Sequence, residues 1–169
     1  MIYGNADGFK DYFIARGKEL SAEWTDEQIE SALLVSSEWL DNQYEPLWIG
    51  YKTEGFKQER SWPRKSARVQ TFPYYLFAND EIPEQVVKAV YEATFRELTT
   101  PGYLQSDYTP NKYSSVRVEG AIAVEYNKHI LYASDAQNEI PVIGDLMKPL
   151  IDNEKGGNFS ILSGRASRV

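Results

Sequence analysis

Apolar positions along the first hundred residues recur at the three-and-four spacing of a helical face, in blocks bounded by start and stop signals. The clearest block opens at Thr25-Asp26-Glu27-Gln28. A threonine followed three residues later by glutamine is the capping-box arrangement, in which each side chain satisfies the other residue's backbone amide. It predicts a helix from Thr25 to about Asn42. Ile29, Ala32, Leu33, Ser36, Ser37 and Leu40 form its main face, and Leu34, Val35 and Trp39 widen the arc enough to predict cover on more than one side. A second helix is predicted to start at Ile82-Pro83, because proline is tolerated in a first turn and Glu81 and Glu84 suit the positive end of the dipole. Val87, Val90, Tyr91, Thr94 and Leu98 make its seam, Val86, Ala89 and Ala93 flank it, and Pro101-Gly102 ends it. Two seams of similar length predict one antiparallel helical core.

Shorter elements surround this pair. Asn5-Ala6-Asp7 can cap a helix through Phe9, Tyr12, Phe13 and Arg16, with Gly17 as a left-handed stop. A last short helix is predicted from Pro141 to Ile151, with Val142, Ile143, Leu146 and Leu150 on one side and Pro149 bending its end. Residues 114–126 carry the convincing β pattern. Val116, Val118, Ala121 or Ile122, Val124 and Tyr126 alternate with Arg117, Glu119 and Glu125, and Gly120 can serve as a bulge or a hairpin bend. Such a ribbon is marginal alone and needs the bundle or a neighbouring subunit. Tyr44 to Gly55 reads as a loop pinned by Trp48 and Tyr51, and 58–80, with Pro63 and Pro73, as a long one, of a length uncommon unless functional or well packed. The fold class expected is mainly α: a bundle of about four helices with a β-ribbon at about 114–126 and a flexible C-terminal arm. Residues 1–151 form a single domain and 152–169 the arm.

Composition narrows the function classes. A hydrophobic content of 42% in 169 residues can fill the core of one domain. No apolar run approaches the roughly 20 residues that cross a bilayer, and Met1-Ile2-Tyr3-Gly4-Asn5 lacks the pattern of a signal peptide, so the chain is expected to stay in the cytoplasm where it is made. Cysteine is absent, which excludes disulfides, cysteine-ligated zinc and thiol catalysis. The 25 acids exceed the 18 bases, giving a net charge of −7, which argues against a broad grip on phosphates. An aromatic content of 14% suits extensive packing or protein interfaces.

Catalytic chemistry finds little support. His129 stands in a polar turn with no serine or aspartate arrangement around it, no glycine-rich loop with Lys-Ser/Thr is present, and Gly156-Gly157 reads as a joint. Glu27, Glu30, Asp41, Glu92, Glu97 and Asp152 read as solvated helix faces rather than acid pairs or metal ligands. No enzyme activity, cofactor or metal is expected. The residues that do suggest a ligand are Arg60, Trp62, Arg64, Lys65 and Arg68, followed by Phe72, Tyr74 and Tyr75. Cations beside stacking aromatics are what a sequence-tolerant single-strand site requires. A structural reading of the same residues is more economical: Trp62 packs into the bundle, Pro63 fixes the turn, and Arg64 bonds loop carbonyls or pairs with an acid.

The series Ser31-Ala32-Leu33-Leu34, Trp39-Leu40-Asp41, Trp48-Ile49-Gly50, Trp62-Pro63-Arg64 and Ile82-Pro83 with Val87-Lys88-Ala89 resembles a tailed-phage family. The likeness continues upstream at Asp11-Tyr12-Phe13-Ile14-Ala15-Arg16-Gly17 with Trp24. Downstream it takes in Val116 to Tyr126 and Leu146-Met147-Lys148-Pro149-Leu150-Ile151, so it covers roughly residues 4 to 151. That family is often labelled DnaT-like and single-stranded DNA-binding, and it is similar to the head–tail adaptor, or head completion, proteins that form a ring under the portal. The resemblance implies a structural virion protein at the neck. It would self-associate into a dodecameric ring, bind the portal protein and further neck or tail-completion proteins, and let genomic DNA pass through its channel without specific binding. No membrane is involved. The alternative it carries is a single-stranded DNA-binding replication accessory protein. Phe159, Ile161 and Leu162 form an apolar cluster on the polar arm with Arg165 and Arg168 behind them. These five residues are the expected portal contact, through a segment that orders on binding, the alternative being that they pack back on the subunit's own bundle.

Overall fold

A computed structural model describes residues 1–69, 73–104 and 140–152, together with the backbone of two strands at 115–117 and 123–125. Four α-helices dominate: α1 (Ala6–Ile14), α2 (Asp26–Tyr44), α3 (Glu84–Thr99) and α4 (Pro141–Met147). α2 and α3 make the most extensive pairing, α4 packs on α3, and α1 lies against both long helices.

The helix starts follow from local chemistry. Thr25 Oγ1 accepts from the Gln28 amide at 3.3 Å and the Gln28 side chain accepts from the Thr25 amide at 3.0 Å, so the capping box of α2 is complete. Asn5 caps α1 by accepting from the Gly8 amide at 2.7 Å, and Gly17 stops the segment with a φ of +68°. Pro83 precedes the first turn of α3, with Glu84 at its positive end. α4 starts at Pro141 and tightens into a 3₁₀ turn, Lys148–Leu150, where Pro149 cannot donate to continue an α-helix.

The buried face of α2 is the predicted one, Ile29, Ala32, Leu33, Ser36, Ser37 and Leu40, extended by Asp41. The wider arc is only partly covered: Trp39 and Val35 are half-buried and Leu34 is exposed. α3 buries Val90, Tyr91 and Thr94 of the predicted seam together with the predicted flank. Val86, Ala89, Val90 and Ala93 are sealed, whereas Val87 and Leu98 are half-buried. In the last helical segment Ile143, Met147 and Leu150 are buried, and Val142 faces out.

The connection between α2 and α3 carries more structure than loop composition suggests. Strand β1 (Tyr51–Lys52) pairs antiparallel with β2 (Arg64–Lys65), and β3 (Arg68–Val69) pairs antiparallel with β4 (Tyr75–Leu76). Gly50 leads into the first ladder at a φ of +66°, where a Cβ would sit 2.6 Å from the Lys65 carbonyl oxygen. Strands this short and this rich in charged residues leave no alternation to read. The predicted ribbon is present as β5 (Ser115–Arg117) against β6 (Ala123–Glu125), with Val116 opposite Val124. That register is symmetric about position 120, and Gly120 itself lies outside the described residues. Trp48 bridges Ile151 antiparallel, so the end of α4 closes back onto the start of the inter-helix connection.

Candidate functional site

The connection from 45 to 81 is where the sequence-named residues gather, and it has an inside and an outside. On the inside, Trp62 is fully buried, edge-on to Trp48 at 5.8 Å and to Phe77 at 5.5 Å. The Trp62–Pro63 peptide is cis. Arg64 is buried and spends its guanidinium on backbone carbonyls, donating from Nε to Ile49 at 2.8 Å and from its terminal nitrogens to Gly50 at 2.8 Å and Ser61 at 3.2 Å. Burial pulls its pKa down, and the carboxylate of Glu45 opposes that. Arg60 is also buried. It donates from Nε to the Met1 carbonyl at 2.6 Å and lies within 4 Å of Glu38, Asp41 and Glu59.

Asp41 joins these residues to the helical core. Its carboxylate accepts from the Tyr3 hydroxyl at 2.8 Å and from the Ser61 amide at 3.2 Å, and the same Tyr3 oxygen accepts from the Trp62 amide at 2.9 Å. The Tyr3 amide donates to Ser37 Oγ at 3.1 Å, which in turn donates to the Leu33 carbonyl. Burial pushes the Asp41 carboxyl above the usual carboxylate range, against the pull of Tyr3, Ser61 and Arg60. Burial and Asp41 together push the Tyr3 hydroxyl far up. Beside them Glu45 accepts from Ser61 Oγ and pairs with Lys52 at 2.7 Å. Burial raises its pKa, but these partners prevail and hold it below the usual value.

The expectation that the acids are solvated faces therefore fails at two positions. Asp41 is interior, and Glu92 is buried on α3, where it accepts from the Tyr12 hydroxyl at 3.1 Å and pairs with Arg96 at 3.0 Å. Both sit on the core side of a long helix, and hydrogen-bond donors on other segments make their burial tolerable. Burial, and after it the Glu92 carboxylate, push the Tyr12 hydroxyl up to about 12.

The outside of the connection holds the rest of the basic cluster. Lys65 and Arg68 are exposed, and Arg68 lies over the Tyr74 ring at 5.2 Å. Tyr51, opposite Lys65 in the ladder, is 65% exposed and Tyr74 is 62% exposed. A groove of about 540 Å³ runs here between Ile49, Tyr51, Ser66, Arg68, Tyr74 and Asp152. The five residues named as a nucleic-acid patch are thus divided by the structure: Arg60, Trp62 and Arg64 face the core, and Lys65 and Arg68 face out. Phe72 and the arm residues Phe159, Ile161, Leu162, Arg165 and Arg168 lie outside the described residues, as does His129.

A second groove, about 680 Å³, lies between α1 and the start of α2, with Ile14, Leu20, Trp24 and Ile29 in its walls. Among the described residues no cluster of three histidine, cysteine or acidic side chains could hold a metal ion, and no helix is long and apolar enough to cross a membrane.

A family model described as "Putative DnaT-like ssDNA binding protein" matches residues 3–169. The chain belongs to this family. No curated protein and no solved structure matches it. The family match embraces both the interior network and the outer groove. The Asp41–Tyr3 pair was missed in the sequence because its members are 38 residues apart and neither carries a motif. The one available signal was an acid placed on the apolar face of α2, at the end of Ile29-Leu33-Ser37-Leu40.

Proposed function

We propose that this chain is a structural, non-catalytic subunit: a head–tail adaptor of a tailed phage that assembles as a ring on the portal vertex and extends the DNA channel toward the tail. The observation that carries this reading is the interior placement of Arg60, Trp62 and Arg64. The residues that could have made a reactive or phosphate-gripping site instead clamp the N-terminal segment, the C-terminal half of α2 and the inter-helix connection to one another. The ordered series of short structural motifs that resembles the adaptor proteins supports the same reading. Ring neighbours meet through two different surfaces, and closure follows when the rotation between them fits. The arm residues Phe159, Ile161, Leu162, Arg165 and Arg168 are proposed as the portal contact, and the neck of the virion as the place of action.

One observation favours a second reading, single-stranded DNA binding. Lys65 and Arg68 share an exposed face with Tyr51 and Tyr74, in keeping with the family description. Titration of fluorescent single-stranded oligonucleotides at physiological salt separates the two. The adaptor reading expects no binding tighter than about micromolar, the range of non-specific contacts. Tighter binding that falls steeply with salt and is abolished by Lys65→Glu with Arg68→Glu in a folded protein would decide for the second. In parallel, wild-type protein mixed with purified portal rings should co-sediment with them, and Phe159→Asp with Ile161→Asp and Leu162→Asp should not.

A further inference from the structure

We infer that this chain contacts a second copy of itself head to tail, with Phe56 of one copy seated in the groove between α1 and the start of α2 of the next. Among the described residues Phe56 is the most exposed large apolar side chain, at 105%, and it sits in a single 3₁₀ turn, Gly55–Lys57, so its ring stands clear of the subunit. The turn beneath it is held in shape. The Gln58 side chain accepts from the Glu54 amide at 3.1 Å and donates to the Arg60 and Pro63 carbonyls at 2.8 Å, and the Gln58 amide closes the turn on the Gly55 carbonyl at 3.3 Å. An aromatic knob on a braced turn needs little ordering when it binds, and aromatic side chains of this kind anchor protein interfaces.

The groove complements the knob in polarity and in charge. Ile14, 64% exposed, gives it an apolar wall with Leu20, Trp24 and Ile29, and the exposed Lys18 and Glu19 line it as well. The knob carries its own acid and base, Glu54 and Lys57, on either side of the ring. Among the described residues Glu19, Glu54 and Lys57 have no ion-pair partner, and Lys18 rests over the Phe95 ring at 4.4 Å. A seated Phe56 sets Glu54 against Lys18 and Lys57 against Glu19, which fixes register more than it adds affinity. The remaining charged wall residue, Lys10, is already paired with Asp26. Knob and groove belong to opposite ends of α2. The groove takes in Ile29 near its start, whereas Arg60, four residues beyond Phe56, is tied to Glu38 and Asp41 near its end. Two different surfaces held apart on one subunit meet heterologously, building a ring or a filament. That one chain carries both halves of the fit names a second copy as the occupant. The inference rests on the adaptor reading only for closure into a ring, and the contact itself stands on the two surfaces.

Sedimentation velocity of the full chain tests this contact, with circular dichroism confirming the fold of each variant. Wild-type protein is expected to self-associate as its concentration rises. Phe56→Asp and, separately, Ile14→Arg, both at exposed positions, should each weaken that association at least about tenfold, or about 1.4 kcal/mol. Mixed together, these two variants should form a one-to-one dimer and stop there, because the first keeps a working groove and the second a working knob. Lys57→Glu should weaken association, and Glu19→Lys added to the same chain should restore it. Wild-type protein that stays monomeric to about 1 mM, where association would be worth only about 4 kcal/mol, would overturn the inference. So would association that Phe56→Asp leaves unchanged, or a mixture of the two variants that stays monomeric. A ring that forms undiminished with Phe56→Asp would overturn the inference and leave the adaptor reading standing. Open filaments that need Phe56 would support the contact and count against the ring.

Discussion

Asp41 shows how a charge can organise an interior. It sits 5% exposed at the end of the buried face of α2 and holds Tyr3 and Ser61, which are distant in sequence, with Arg60 at 3.8 Å. Asp41→Asn keeps the shape but turns an NH₂ group or a weaker acceptor toward the Ser61 amide, leaving a buried donor poorly satisfied. A cost of about 1–3 kcal/mol is expected by urea unfolding at neutral pH. The pH dependence has a definite sign. The folded carboxyl binds its proton more tightly than the unfolded one, so this group's contribution to stability is greatest below the unfolded value near about 3.9 and declines as pH rises through the raised folded value. The stability gap between wild type and Asp41→Asn should therefore widen on acidification through that window. A gap that narrows instead would mean the carboxylate is favoured by its donors more than burial opposes it. Gly50 gives a simpler case. At a φ of +66°, with backbone 2.6 Å from the position of a Cβ, Gly50→Ala should cost at least about 1–2 kcal/mol, and an unchanged unfolding midpoint would show that the turn adjusts freely.

Among the elements, α2 and α3 were the most legible, because capping chemistry and the helical repeat are local and both helices bury one stripe. Leu33 is fully buried at the centre of that stripe, and Leu33→Ala is expected to cost about 2–5 kcal/mol in chemical unfolding; a loss under about 0.5 kcal/mol would place it at the surface. Thr25→Ala removes one half of a capping box seen with both bonds made, and should lower stability by about 1 kcal/mol, with Thr25→Ser restoring most of it. The connection between the helices was much less legible. Its strands are two residues long, and their pairing is set by Arg64 bonds to carbonyls around residue 50 and by the packing of Trp62, both long-range. The economical reading of Trp62 and Arg64 as fold residues agrees with what is seen. The reading of Arg60 as part of an exposed patch did not anticipate that the Met1 carbonyl and Asp41 would draw it inside. Within α3 the helical repeat alone did not tell Val86, which is sealed, from Val87, which is half-buried, because neighbouring valines at the edge of a stripe are separated only by the partner helix.

For the molecule as a whole, the described residues form a helical core to which an N-terminal segment, an inter-helix connection and the end of α4 are all tied. The ties are the Asp41 network and the Trp48–Ile151 bridge. Under the proposed adaptor role, the net charge of −7 would disfavour a tight, non-specific grip on DNA passing through the ring. The central claim is that this protein acts as a ring subunit at the portal vertex. Cryo-electron microscopy of virions that carry this protein, as the proposal requires, tests that claim most directly. The account predicts a ring of this fold beneath the portal, with α2 and α3 recognisable in each subunit. Virions whose neck density contains no such domain, with the protein instead found only among replication complexes of infected cells, would contradict it.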